Sequence, residues 1–161
     1  MLQRLKIATL LCLAMVPPSQ AGFDEGKAAY DRGDFAAAVR EWRPLAEQGN
    51  AVAQYSLGFL HAEGRGAQQD YTAAAIWYRK AAEQGIAGAQ FNLGLLYARG
   101  RGVKQDHAVA AEWYRKAAEQ NDAGAQYSLG FLYAEGQGVK QDFAAAAGWY
   151  SKAAEQGLAN A

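Results

Sequence analysis

Apolar and polar positions along this chain follow a helical period that glycine-rich or polar turns interrupt at short, regular intervals. Between Ala51 and Glu63, the residues Ala53, Leu57, Leu60 and His61 recur at helical spacing, which makes one buried face. This is helix A of a unit. A glycine loop follows, Gly64-Arg65-Gly66-Ala67-Gln68-Gln69, and then Asp70. An aspartate there accepts hydrogen bonds from the free N–H groups that open the next helix. Helix B is predicted over Tyr71 to Gln84, with Ala74, Ala75, Tyr78, Ala81 and Ala82 as its packing stripe and Trp77 beside it. Gly85 ends it. The whole phrase then repeats: Trp77, Trp113 and Trp149 lie 36 residues apart, and so do Asp70, Asp106 and Asp142.

A period of that length marks an array of small helical units, each too short to bury its own apolar face. Two details support the alignment on physical grounds. Gly58, Gly94 and Gly130 fall inside helix A, where glycine costs about 0.5–1 kcal/mol relative to alanine; close approach of helix B is the expected compensation. The positions after helix B hold Gly85, Asn121 and Gly157, two residue types that share the ability to adopt a left-handed C-terminal turn. Full repeats are assigned to 51–86, 87–122 and 123–158, and 159–161 begin a further helix A. An atypical unit covers 23–50: Gly33 runs straight into Asp34 without the glycine loop, and Pro44 stands where later units have Lys80. A proline there is expected to kink or weaken the helix. Terminal units of such arrays are often irregular, and helix B of the last repeat is expected to lack a cover.

The pattern Ala-x-Ala-Gln-Tyr-x-Leu-Gly-x-Leu-Tyr, then Gly-x-Gly-Val, then Asp, then Trp-Tyr-x-Lys-Ala-Ala-Glu-Gln-Gly resembles the Sel-1-like repeats, relatives of the tetratricopeptide repeats. It stands in register at Ala51–Gly85, Ala87–Asn121 and Ala123–Gly157, with His61 in place of tyrosine and Ala67 in place of valine. The unit at 23–50 looks more like a tetratricopeptide repeat. The resemblance implies an all-α fold, a right-handed solenoid of antiparallel helix pairs with a concave binding face. It also implies an adaptor, and for exported bacterial members a place at the cell envelope.

The N-terminus changes the picture of where the chain works. Arg4 and Lys6 precede an apolar run, Ile7 to Val16, that is too short for a typical membrane span. Pro17-Pro18 breaks it, and Ser19-Gln20-Ala21 offers small residues for cleavage. Residues 1–21 are read as a secretory signal, with 22–161 as the mature domain in the periplasm or outside the cell. Cleavage removes Cys12, the sole cysteine; it lies too early and in the wrong context for a lipoprotein site. It also leaves 14 basic against 16 acidic residues, a net charge of −2. That balance excludes general attraction to nucleic acid or to anionic membranes, which need basic patches.

Candidate chemistry is sparse. His61 and His107 align with tyrosine or phenylalanine in the other repeats and are read as packing aromatics. The sequence has no His-x-x-x-His, Cys-x-x-Cys or acidic calcium loop. The Gly-x-Gly loops lack the Lys-Ser/Thr ending of a phosphate cradle, and Ser56, Ser128 and Ser151 lack a nucleophile-elbow context. No catalysis, metal or cofactor is expected. The tryptophans are read as packing between helices, with a carbohydrate-stacking ladder as the alternative. Lys80, Lys116 and Lys152 are read as solvated. One helix-A face remains that the core does not need. Its residues are Ser56, Phe59 and Glu63; Asn92, Leu95 and Arg99; Ser128, Phe131 and Glu135. They predict an apolar row edged with alternating charge, suited to a protein or peptide partner; packing between repeats is the competing assignment. A peptidoglycan or exopolysaccharide binder, or a cell-wall or β-lactam hydrolase, are the other functional readings. Weak self-association through the uncovered last helix is a further expectation.

Overall fold

In the computed structural model, residues 18–157 are described, and among them the chain forms eight helices and no strands. They are α1 (Pro18–Asp31), α2 (Phe35–Glu47), α3 (Ala51–Glu63), α4 (Tyr71–Glu83), α5 (Ala87–Arg99), α6 (His107–Glu119), α7 (Ala123–Glu135) and α8 (Phe143–Glu155). Each packs on its sequence neighbours, so the helices form four consecutive A–B pairs. Most of the segment read as a secretory signal, and the further unit expected at 159–161, lie outside the described residues. Helix α1 begins at Pro18 and runs through the expected cleavage point.

Local sequence sets the boundaries. The Asp70 carboxylate accepts from the N–H groups of Thr72 and Ala73 at 2.9 Å, and Asp106 repeats this at Ala108 and Val109. Asp34 and Asp142 each cap with one bond. Among the A helices, Asn50 caps α3 and Asp122 caps α7, whereas Ile86 before α5 supplies no side-chain cap. After helix B the backbone turns left-handed at Gly85 (φ 91°), Asn121 (φ 64°) and Gly157 (φ 89°), the conformation their residue types anticipated. The proline of the first unit does not interrupt α2, which continues from Phe35 to Glu47 with Pro44 inside it. Pro44 lies in the last turn, so only one late N–H is missing.

The glycine inside helix A is a contact surface. A Cβ on Gly94 would stand 2.7 Å from the Tyr114 ring, and one on Gly58 would stand 2.6 Å from Tyr78. The atypical unit keeps this device with a different ring. Gly26 faces Trp42, which holds the slot of Tyr78 and Tyr114 rather than that of the repeated tryptophans. Trp42 is fully packed and its indole N–H donates to the Phe23 carbonyl at 3.2 Å.

The core lies between units. Helix B of one unit and helix A of the next supply each cluster, as in Ala74, Ala75, Tyr78, Ala81 and Ala82 with Ala89, Leu93 and Leu96. The repeated tryptophans reach back onto the cluster before their own: Trp77 onto the first, Trp113 onto the second, Trp149 onto the third. They are half-buried, and a lysine ammonium lies over each ring, at 4.5 Å for Lys80, 4.1 Å for Lys116 and 4.4 Å for Lys152. The packing assignment therefore holds, and the lysines, exposed as expected, also cover the indole faces.

A polar thread joins the units. Buried Gln54, Gln90 and Gln126 donate across the interface to the carbonyls of Ala46, Ala82 and Ala118, at 2.9, 3.1 and 3.2 Å. Each in turn accepts a bond of 2.8 Å from the C-cap glutamine of the following helix B, Gln84, Gln120 or Gln156. Every buried amide is thus partnered on both sides, which a polar group in a core requires.

Candidate functional site

Part of the helix-A face that the sequence singled out lines two adjoining cells of like construction. The first is bounded by Tyr30, Trp42, Tyr55, Ser56 and Phe59, which enclose a cavity of about 250 Å³. The second is the same construction one unit on. Ala62, Tyr78, Asn92 and Leu95 take the places of Tyr30, Trp42, Ser56 and Phe59, and Glu63, Arg99 and Arg101 stand around them. Its cavity is about 160 Å³. Phe59 borders both.

Six of the nine predicted residues line these two cavities: Ser56, Phe59, Glu63, Asn92, Leu95 and Arg99. Ser128, Phe131 and Glu135 hold the third position, where the side chains stand more open; Phe131 is 43% exposed. One expectation is corrected. Phe59 and Leu95 are not spare to the core: Phe59 packs on the clusters to either side, and Leu95 packs on the third. Both are half-buried, so each presents one edge to the cavity and the rest to its neighbours.

The aromatic walls of the first cell brace one another. Tyr30 lies 5.9 Å from Trp42 and 6.5 Å, edge-on, from Phe59. Burial pushes the hydroxyl of Tyr55 above the ordinary tyrosine pKa, while a hydrogen bond with Asn92 in the next cell pulls the other way. Burial likewise raises Tyr78, and it pushes Tyr114 up to about 12 against the opposing influence of Arg99 and a hydrogen bond with Ser128. These phenols stay neutral at any physiological pH and serve as walls and hydrogen-bonding groups.

Charge is concentrated in the second cell. Glu63, Arg99 and Arg101 are exposed at its rim. The Arg101 guanidinium lies 5.3 Å from the Tyr71 ring centre and donates to the Tyr71 hydroxyl at 3.3 Å. Among the described residues the ion pairs are Lys27–Asp31 and Arg40–Glu41, and neither involves Arg99 or Arg101. Ser56 donates to the Val52 carbonyl of its own helix at 2.9 Å, and Ser151 to the Glu155 carboxylate of its own helix at 3.4 Å. Among the described residues no group of three His, Cys, Asp or Glu side chains is placed to hold a metal ion, and no helix is long and apolar enough to cross a membrane.

Sequence reasoning missed Tyr30, Trp42, Tyr55, Tyr71, Tyr78 and Arg101 as parts of these cells. The signal for Tyr78 and Tyr55 was present in the 36-residue register, since both recur as aromatics in the next unit. Trp42 was hidden because it occupies a tyrosine slot.

Helix pairs stacked through inter-unit cores, with a lined face on the A helices, define a helical-repeat solenoid. The chain belongs to the Sel1 repeat family, whose model matches residues 51–86, 87–122 and 123–158. Among solved structures, it resembles a protective antigen of uropathogenic Escherichia coli strains displaying an SLR fold, at 45% identity and a TM-score of 0.82 over 86% of this chain and 31% of that one. It resembles a Sel1 repeat protein from Oxalobacter formigenes at 40% identity and a TM-score of 0.80, over 84% of this chain and 56% of that one. The chain thus spans about a third and just over half of these two relatives. Cysteine rich protein B of Helicobacter pylori shares the fold at 24% identity and a TM-score of 0.57, over 82% of this chain and 88% of that one. A comparison with curated proteins finds no match. Sel1 repeat proteins typically act as scaffolds for protein–protein interaction and are generally non-catalytic.

Proposed function

We propose that this protein is an exported, non-catalytic scaffold that holds a protein or peptide partner in the groove formed by its A helices, in regulation or assembly at the cell envelope. The observation that carries the reading is the pair of adjoining cavities that share Phe59 and are lined by six of the nine residues of the candidate face. Apolar floors rimmed by charged groups suit a partner surface. Export to the periplasm or beyond rests on the basic start, short apolar run and small-residue site of residues 1–21.

A polysaccharide-binding role has less support. Stacking on a sugar needs an open indole face, and each repeated tryptophan is half-buried with a lysine over its ring. A hydrolase role needs an activated nucleophile, and the Ser56 hydroxyl is engaged by its own helix.

The test is partner capture from envelope extracts by the double variant Phe131→Ala with Arg99→Glu. Both side chains are exposed, so the helical circular-dichroism signal and Tm are expected to stay near wild type while capture is lost. A folded variant that captures the partner as well as wild type places binding elsewhere.

A further inference from the structure

The two cells are the same construction, yet they differ in chemistry in a directed way. In the slot where the first has Tyr30 the second has Ala62; Trp42 becomes Tyr78, Ser56 becomes Asn92 and Phe59 becomes Leu95. The first is an aromatic box whose indole N–H is already engaged by the Phe23 carbonyl and whose open lining is mainly apolar. The second is smaller, about 160 Å³ against 250 Å³, and polar. Its rim holds two guanidinium groups and one carboxylate, a net positive charge. Arg101 is held in place by the Tyr71 ring and hydroxyl, yet a guanidinium has five N–H donors and one such bond leaves the others available. Arg99 has no ion-pair partner among the described residues.

We infer that the groove reads a two-point signal on an extended peptide: a bulky apolar side chain in the Tyr30–Trp42–Tyr55–Phe59 cell and, a few residues away, a carboxylate at Arg99 and Arg101. This rests on the groove reading above and names the partner's chemistry. The apolar cell rewards burial of an aromatic or large aliphatic group. The guanidinium pair rewards a carboxylate, whose planar oxygens match the fork of N–H donors. The spacing follows from the fold. The two cells adjoin at Phe59, which borders both. An extended chain rises about 3.3 Å per residue, so residues two to four apart reach both cells. Glu63 lines the second cell with the two arginines, so a carboxylate there meets two guanidinium groups against one like charge. The order apolar-then-acid along the groove follows from the aromatic lining of the first cell and the two arginines of the second.

The probe is a set of acetylated, fluorescein-labelled heptapeptide amides. Each carries one Phe and, two, three or four residues away on either side, Asp, Asn or Lys, with Gly and Ser elsewhere. Binding to the protein is read by fluorescence polarisation. At one spacing the Phe–Asp peptide is expected to bind at least tenfold tighter than its Asn and Lys counterparts. Arg99→Gln should erase the Asp preference, and Arg99→Glu should turn it toward Lys; the exposed site keeps both variants folded, with circular dichroism as the check. Equal binding by Asp, Asn and Lys peptides overturns the inference, as does an Asp preference that survives Arg99→Glu. So does failure of every peptide, including the case where soluble polygalacturonate binds instead, which would assign the basic cell to an acidic glycan. The groove reading itself stands or falls separately, on partner capture by the Phe131→Ala, Arg99→Glu variant.

Discussion

At the residue scale, His61 shows what one departure from the repeat does. In the next two units the equivalent positions are Tyr97 and Tyr133, whose hydroxyls accept hydrogen bonds from Arg79 and Arg115. The arginine of the first unit, Arg43, faces an imidazole instead. The Nδ1 of His61 is buried without a partner, and burial, followed by the nearby Arg43 charge, pushes its pKa below the usual histidine value; Asp70 acts weakly the other way. A histidine held low in the fold binds fewer protons than in the unfolded chain, so its contribution to stability is complete above about pH 6.5 and is lost as pH falls through the folded value. His61→Tyr restores the phenol that the other units use. The variant is expected to melt higher than wild type at pH 5 and to lose less Tm between pH 7.5 and pH 5, measured by thermal circular dichroism. An equal acid loss in both chains would refute this account. The residue's role was legible as an aromatic packing slot; its discomfort was not, because the arginine it meets lies 18 positions away in sequence, on another helix.

Elements carry the clearest contrast between two glycines that look alike in sequence. Gly94 and Gly148 both sit inside helices. Gly94 touches the buried ring of Tyr114, whereas a Cβ on Gly148 would meet nothing within 4 Å. Alanine at 94 gains helix propensity but must displace a ring that has nowhere to go; a net loss of about 1–2 kcal/mol is expected in urea unfolding. Alanine at 148 meets no such obstacle and should stabilise by about 0.5–1 kcal/mol. The helix boundaries, caps and close-packed glycines were readable because each is a local rule repeated in register. Less readable was the first unit, where a shortened loop shifts α1 by four residues and hides the pairing of Gly26 with Trp42. The candidate face was legible as a periodicity, while its division into an aromatic and a charged cell was not. Arg101 and Tyr71 come from a loop and from the start of helix B, which an argument confined to helix A does not reach.

For the whole molecule, the glutamine thread decides how the units behave together. Gln90 links the Ala82 carbonyl to Gln120 at 3.1 and 2.8 Å, so it touches three helices. Gln90→Ala removes both bonds at a buried site; about 1–3 kcal/mol of stability is expected to go, with broadened unfolding and earlier amide exchange in α5 to α8 than in α1 to α4. Loss of protection spread evenly over all helices would show that the thread does not couple the units. The same thread has a consequence for heredity. Because Gln54, Gln90 and Gln126 meet the same carbonyl position at the same 36-residue step, removal of residues 87–122 would bring Gln126 to the Ala82 carbonyl that Gln90 occupies now. Such an excision creates no junction that the fold does not already contain. A gene built this way can gain or lose a unit by in-frame recombination without first acquiring a compensating change, and the number of cells along the groove becomes a quantity that selection can adjust one step at a time.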